Sequence, residues 1–329
     1  MIPMIPMRIL GTGRATGAQV IHTNALLDAL PPGSRPDRER LRARMGIDTR
    51  TWAGPGEDVA SLATAALRLA LDDAGLPASD LRRIILATST GGDRMTPSTA
   101  NRVAAALDLD DTCDAFDLNN ACVGFLTGLD LAARDVATGG GPVAVIGAEL
   151  FSRYLAPERP RTWLVLADAA AAAILGSHPH GGGLGGAWLR NNRALREEMV
   201  IPHPGVERRY EPVDFGASAA ALSESAVACI RRASDAALAQ AGLGWGDVDW
   251  FLPHQPNGAL FDAIVAACEV DPARVVPVAR AIGSVGAAAV PYSLDVLRRS
   301  GRLQPRQHVL LASVGAGTAY GALLYREPG

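Results

Sequence analysis

Apolar positions along the chain fall into two alternating forms, short unbroken runs and stripes at helical spacing. Residues 59–74 place Leu62, Ala66, Leu69 and Ala70 on one face and end at Gly75, which predicts a helix stopped by a glycine. Asp80-Leu81 then leads into Ile84-Ile85-Leu86-Ala87-Thr88, an apolar run of strand type. A second stripe, Leu126, Leu129, Ala133 and Val136, predicts a helix that Gly139-Gly140-Gly141 terminates. Far downstream the same grammar returns. Residues 228–241 predict a helix, Gly242 ends it, and Asp247-Val248 leads into the strand Trp250-Phe251-Leu252. Residues 7–10, 143–146 and 309–312 read as further strands.

The recurrence is close to literal. Ala70-Leu-Asp-Asp-Ala-Gly75-Leu and Ala237-Leu-Ala-Gln-Ala-Gly242-Leu stand 167 positions apart, each with an aspartate five residues past its glycine. Leu129-Asp130-Leu131 answers Leu294-Asp295-Val296 at 165, and the strand at 143 answers the one at 309 at 166. An offset near half the chain with so little drift implies an internal duplication. The expected fold is α/β, two similar halves over residues 1–176 and 177–329, joined within 176–186. Each half should hold a mixed, largely parallel sheet whose apolar strands are buried on both faces.

Two local features read as background. Gly11-Thr12-Gly13 follows a strand but misses dinucleotide-binding spacing, and no helical stripe follows it. Residues 35–50 hold six arginines, at 35, 38, 40, 42, 44 and 50, around Leu41, Met45 and Ile47, which predicts a helix with one basic face. That face serves solubility or meets a phosphate.

Composition narrows the chemistry. A formal net charge of -3 argues against a nucleic-acid partner, because phosphate contacts need a basic field. All 31 basic residues are arginine, which excludes Schiff-base and P-loop lysine chemistry. Cys113, Cys122, Cys229 and Cys268 show neither metal nor disulfide-scaffold spacing, as expected of a reducing cytoplasm. His178 and His180 have no third ligand and read as a linker loop, so no metal is expected. The start lacks a basic region before a continuous apolar run, and the apolar run at 163–176 is short and carries Asp168. A soluble chain with no membrane partner is expected.

The candidate chemistry gathers at predicted strand ends. In Asp117-Leu-Asn119-Asn120-Ala-Cys122-Val-Gly-Phe125 the cysteine stands in the first turn of a predicted helix. Helix N-termini carry partial positive charge and free N–H groups, which lower a thiol's pKa and can hold an oxyanion. The bland alternative is a small core residue. By the duplication, the strand end at Pro253-His254-Gln255-Pro256-Asn257 converges on the same edge and supplies an imidazole as base or oxyanion donor. Gly283-Ser284-Val285-Gly286 is a tight turn at that edge, and Gly315-Ala316-Gly317 exposes backbone N–H groups usable as an oxyanion hole with that of Cys122.

These segments, with Ile9-Leu10-Gly11-Thr12-Gly13, Arg44-Met45-Gly46-Ile47, Thr96-Pro97-Ser98 and Ala167-Asp168-Ala169, resemble the β-ketoacyl-ACP synthase III family of the thiolase superfamily over nearly the whole chain. The resemblance implies a thiolase fold, five layers in αβαβα order. It implies Cys122 as the acyl-accepting nucleophile, His254 as second catalytic residue, and Arg44 and Asn257 as contacts for the phosphopantetheine of a carrier protein or CoA. That thioester is a substrate, and no tightly bound cofactor is implied. A homodimer is implied too, with residues 91–112 crossing to the partner subunit beside the site.

The chain departs from the family at three places. Ser284 stands where decarboxylating members have an asparagine that, with the histidine, stabilises the enolate of the malonyl extender. A hydroxyl cannot match the amide's reach. A tryptophan expected near Arg40, which stacks on the CoA adenine, is missing, which favours a carrier-protein donor. Asn119-Asn120 replaces small residues. Offshoots of the family beside polyketide pathways, altered at the third catalytic position, transfer acyl groups to oxygen or nitrogen. The leading expectation is therefore an acyltransferase of secondary metabolism that loads Cys122 and delivers to a hydroxyl or amine of a small-molecule acceptor. The runner-up is decarboxylative condensation with malonyl-ACP. A non-catalytic partner subunit is disfavoured because Cys122 and His254 are both retained.

Overall fold

A computed structural model describes residues 4–31, 37–178, 181–193, 199–203 and 212–329. One five-stranded sheet runs in the order β2 (Arg8–Thr16), β8 (Asp168–Gly176), β7 (Val143–Leu150), β5 (Arg83–Ala87), β6 (Asp114–Leu118). The other runs β1 (Ile5–Pro6), β9 (Gly183–Asn191), β14 (Ala319–Arg326), β13 (His308–Gly315), β12 (Trp250–Pro253). Two short ribbons, β3 (Gln19–His22) with β4 (Thr49–Trp52) and β10 (Met199–Val200) with β11 (Asp214–Phe215), sit outside them.

The layering follows from burial. The helices Gly124–Ala137 and Ala289–Arg299 lie between the sheets, where Phe125, Leu129, Val136, Leu294 and Leu297 share one core with Val145 and Ala171 of the first sheet and Leu311 and Leu323 of the second. The helix Val59–Ala74 covers the outer face of the first sheet, and Ala219–Ala241 with Gly258–Ala267 covers the outer face of the second. Every residue of β7 and β8 is buried, as unbroken apolar runs predict. The order is helix, sheet, helix, sheet, helix.

Two expectations are corrected. The sheets are mixed but not largely parallel: β5 is parallel to β6 and β7, β12 to β13, and the remaining pairs are antiparallel. Between β13 and β14 only the turn Ala316–Thr318 intervenes, too short for a crossover. Gly11-Thr12-Gly13 does not follow the strand but forms the middle of β2. Its glycines are set by packing, because a Cβ on Gly11 would stand 2.3 Å from the Ala70 carbonyl oxygen and one on Gly13 2.3 Å from that of Ala66. In addition, β1 pairs with β9 and so adds a two-residue edge strand to the second sheet.

The second half repeats the glycine contact. A Cβ on Gly186 would meet the carbonyl oxygen of Ala237, the residue equivalent to Ala70, again at 2.3 Å. Gly75 and Gly242 end the two equivalent helices at φ 64 and 74. The helix predicted over 228–241 starts earlier, at Ala219, where Ser218 caps it by accepting from the N–H of Ala221.

Because backbone, unlike a flexible side chain, cannot move aside, Gly11→Ala and Gly186→Ala should each destabilise the fold by about 3 kcal/mol. Urea unfolding checks this, and a loss below about 1 kcal/mol at both positions would contradict the packing account.

Candidate active site

Cys122 sits one step earlier than its stripe predicts. It lies in a 3-10 turn, Ala121–Val123, immediately ahead of the helix Gly124–Ala137. Ala121 before it holds φ 45, a left-handed conformation unusual for a residue with a Cβ, and the turn it forms lifts Cys122 off the end of β6. Asp117 at the end of β6 accepts from the N–H groups of Thr99 and Ala100 at 2.6 and 2.7 Å and so caps the helix Thr99–Ala106.

The second half closes on the cysteine through β13. A Cβ at Gly315 would stand 2.7 Å from the Cys122 nitrogen, so only glycine lets this strand end lie against the Cys122 backbone. Two residues earlier, the Ser313 hydroxyl donates to the Cys122 carbonyl at 2.8 Å. His254 follows β12, its N–H donating to Ala312 of β13 at 2.7 Å. Ser284 is buried and held by its backbone, donating to Val165 and accepting from Ala167, each at 2.9 Å.

Cys122, His254, Ser284, Ala316, Arg44 and Asn257 all line one cavity of about 350 Å³. All six residues singled out in the sequence thus meet. Between mouth and sulfur the wall is largely apolar, with Met45, Leu164, Phe215, Leu222 and Leu260. Arg44 comes from the helix Arg38–Met45, and Asn257 caps the helix Gly258–Ala267 by accepting from the N–H of Leu260 at 2.9 Å. Gly46 and Gly258 bring these helices together, since a Cβ on Gly258 would stand 2.4 Å from the Gly46 carbonyl oxygen. The side chains at 38 and 40 and residue 35 lie outside the described residues, as does His180.

The electrostatics differ from the expected helix-mouth effect. Burial pushes the Cys122 thiol up to about 12, and the charge on Glu149 adds to the rise. Its own backbone N–H, directed at the sulfur, pulls the other way and does not prevail. Cys122 keeps some accessible surface, but it opens into cavities rather than bulk solvent. Burial pulls His254 down to about 4, so the imidazole is neutral near pH 7. Its buried Nδ1 has no hydrogen-bond partner among the described residues, so no carboxylate raises its basicity. A neutral base beside a protonated thiol suits a proton transfer that occurs only as the sulfur attacks.

Glu149 was missed in the sequence. It is the penultimate residue of β7, fully buried, and burial pushes it up to about 7. Its carboxylate accepts from the Ser89 N–H at 3.0 Å, the Ser89 hydroxyl at 2.7 Å and the Ala287 N–H at 3.2 Å. It therefore ties the loop after β5 to the turn that carries Ser284. The available signal was a carboxylate near the end of an otherwise apolar strand. Asp168, quoted above as part of a motif, turns out to be a brace, accepting from the Ser152 and Ala53 N–H groups at 2.8 and 2.6 Å.

Comparison with known structures defines the class first. Synthase III from Aquifex aeolicus superposes with a TM-score of 0.88 at 27% identity, covering 97% of this chain and 99% of that one. The priming β-ketosynthase of the R1128 polyketide pathway gives 0.90 at 26%, covering 100% and 98%. The molecule is a thiolase-fold α/β protein. Family models described as 3-oxoacyl-[acyl-carrier-protein] synthase III and its C-terminal part match residues 116–192 and 238–327. β-Ketoacyl-[acyl-carrier-protein] synthase III of Rhodospirillum rubrum is 34% identical over 291 residues, 87% of this chain and 90% of its own. That of Rhizorhabdus wittichii is 33% identical over 320 residues, 97% and 98%. The chain belongs to the β-ketoacyl-ACP synthase III family, and it is a transferase of that enzyme family.

The buried acid gives a pH test. A carboxyl whose folded pKa is raised contributes stability below its unfolded value, near 4.5, and loses it as pH rises through about 7. The stability of the wild type relative to Glu149→Gln should therefore fall by about 3 kcal/mol between roughly pH 4.5 and 8. His254 tilts the opposite way, losing stability as pH falls from 6.5 toward 4, and cancels in the comparison. Parallel urea-derived profiles for the two proteins would contradict the assignment.

Proposed function

We propose that the enzyme works in two half-reactions on Cys122, with a phosphopantetheine thioester of a carrier protein or CoA as donor. Its pantetheine arm enters past Arg44 and Asn257 along the apolar wall, and the arginine meets its phosphate. The Cys122 sulfur attacks the thioester carbonyl while His254 takes the thiol proton. The oxyanion of the tetrahedral intermediate lies between the N–H groups of Cys122 and Ala316. The pantetheine thiolate leaves and is protonated from His254, and the acyl group remains on sulfur.

For the second half-reaction, we propose that a hydroxyl or amine of a small-molecule acceptor attacks the acyl-enzyme while His254 takes its proton. The carbon–sulfur bond then breaks, and the Cys122 thiolate leaves and is reprotonated from His254. One observation carries this reading: the cavity presents Ser284 beside Cys122 and His254, where the resembled condensing enzymes have an asparagine amide. Condensation with a malonyl-carrier forms an enolate that needs two aimed donors, and a serine hydroxyl does not reach as an amide does. Direct transfer forms no enolate. The second reading is decarboxylative condensation, and the comparisons favour it: the relatives at 33 and 34% identity are called β-ketoacyl-ACP synthase III. A place in polyketide or other secondary metabolism is part of the first reading and draws support from the R1128 neighbour.

The expected homodimer belongs to the same proposal. The loop over residues 91–98 ends in the helix Thr99–Ala106 and carries Met95 at 81% exposure, an apolar side chain that a partner subunit would cover. Sedimentation of the active enzyme should give a dimer, and a stable active monomer would reject it.

Ser284→Asn separates the two readings. Carbon dioxide release from malonyl-carrier by the wild type should be about 100-fold or more below that of an ordinary condensing enzyme. The substitution should raise it. Wild-type release at ordinary condensing rates, with a β-ketoacyl product, would overturn acyl transfer to oxygen or nitrogen and leave condensation.

A further inference from the structure

Two cavities meet at Cys122. The second, of about 430 Å³, opens on another side of the same residue, between the turn at Asn119 and Asn120, Ser89, the turn at Ala316 and residues 199–201. Where the donor cavity is mostly aliphatic and aromatic, this one sets a polar wall of Ser89, Asn119 and Asn120 opposite the apolar side chains of 199–201.

The polar wall has a defined hydrogen-bonding sense. Asn119 accepts from the Ala121 N–H at 3.1 Å, which makes the accepting atom its amide oxygen and leaves Nδ2 without an acceptor among the described residues. The Thr127 hydroxyl donates to the Val123 carbonyl at 3.3 Å, so it must accept from Asn120, which fixes Nδ2 there at 2.9 Å. Asn120 Oδ1 is then left without a donor among the described residues. Ser89 spends its hydroxyl proton on Glu149, leaving that oxygen able to accept. The wall thus offers one donor and two acceptors beside the sulfur. A hydroxyl donates once and accepts, and an amine donates, so either is satisfied there, whereas a hydrocarbon strips these groups of water and returns nothing.

We propose that this second cavity holds a hydroxyl- or amine-bearing group on a short carbon chain next to the acyl-thioester, and that Asn119 and Asn120 select for it. The replacement of small residues by two asparagines then has a physical reason. The group has two possible sources, the tail of the acyl chain on Cys122 or the second substrate, and its chemistry is the same in both. The proposal rests on acylation of Cys122 and not on which nucleophile discharges it.

Intact-protein mass spectrometry distinguishes the sources. In one arm the rate of self-acylation is compared for the pantetheine thioesters of 3-hydroxybutyrate and its near-isostere 3-methylbutyrate. In the other, the acetyl-enzyme is discharged by ethanolamine or by propylamine. The wild type should prefer the hydroxylated member by about tenfold or more in at least one arm, and that arm names the source. In Asn119→Ala, a truncation at an exposed position, and in Asn120→Ala, the preference should fall below about threefold. A wild-type preference below threefold in both arms overturns the proposal, as does a preference that survives in Asn119→Ala. If no amine or alcohol discharges the enzyme, transfer to oxygen or nitrogen fails, and the acylation arm alone decides the cavity's role.

Discussion

The site depends on one close approach, the end of β13 against the backbone of Cys122. Gly315 leaves no room for a side chain there, and Ser313 fixes the cysteine's carbonyl from the same strand. Through that seam the second sheet fixes the candidate nucleophile that the first sheet presents. His254 hangs on the neighbouring strand by its hydrogen bond to Ala312, so Cys122 and His254 are registered to β13 together. The carbonyl-to-glycine contacts that seat the two outer helices hold the sheets that make this seam possible.

Around the seam, burial drives three titratable groups away from their ordinary charge states. The thiol rises to about 12, the imidazole falls to about 4 and the glutamate rises to about 7. The common cause is desolvation, which penalises whichever form carries charge. The resting site therefore holds a neutral thiol and a neutral imidazole side by side in one cavity. Glu149 alone titrates near neutrality, and its hydrogen bonds to Ser89 and Ala287 bind the walls of both cavities to one carboxylate.

Much of this was legible in the chain. Helical stripes gave Val59–Ala74 to the residue, and the 167-residue repeat aligned Ala70 with Ala237, whose carbonyls lie against equivalent glycines in the two halves. Cys122, His254, Ser284 and Ala316 were singled out because strand ends, where sequence changes from apolar runs to glycine and polar turns, gather at one edge. Arg44 and Asn257 came instead from the family resemblance, and all six line one cavity. What stayed hidden was long-range. Antiparallel pairing depends on connection geometry that periodicity does not encode, and the crossing of β1 to the second sheet involves two residues. The helix-mouth argument for a lowered thiol pKa failed because it counted a local dipole and not the desolvation imposed by elements distant in sequence. Glu149 escaped for the same reason, its partners lying 60 and 138 positions away.

The central claim is that this seam makes Cys122, and no other cysteine, the acyl carrier. Cys229 and Cys268 are buried in the outer layer of the second half and Cys113 is half-buried beside the first, none of them lining the two cavities that meet at Cys122. Peptide mapping after incubation with an acyl-pantetheine thioester tests this most directly. The account predicts a single acyl adduct, on the peptide carrying Cys122, and an adduct on Cys113, Cys229 or Cys268 with Cys122 unmodified would contradict it.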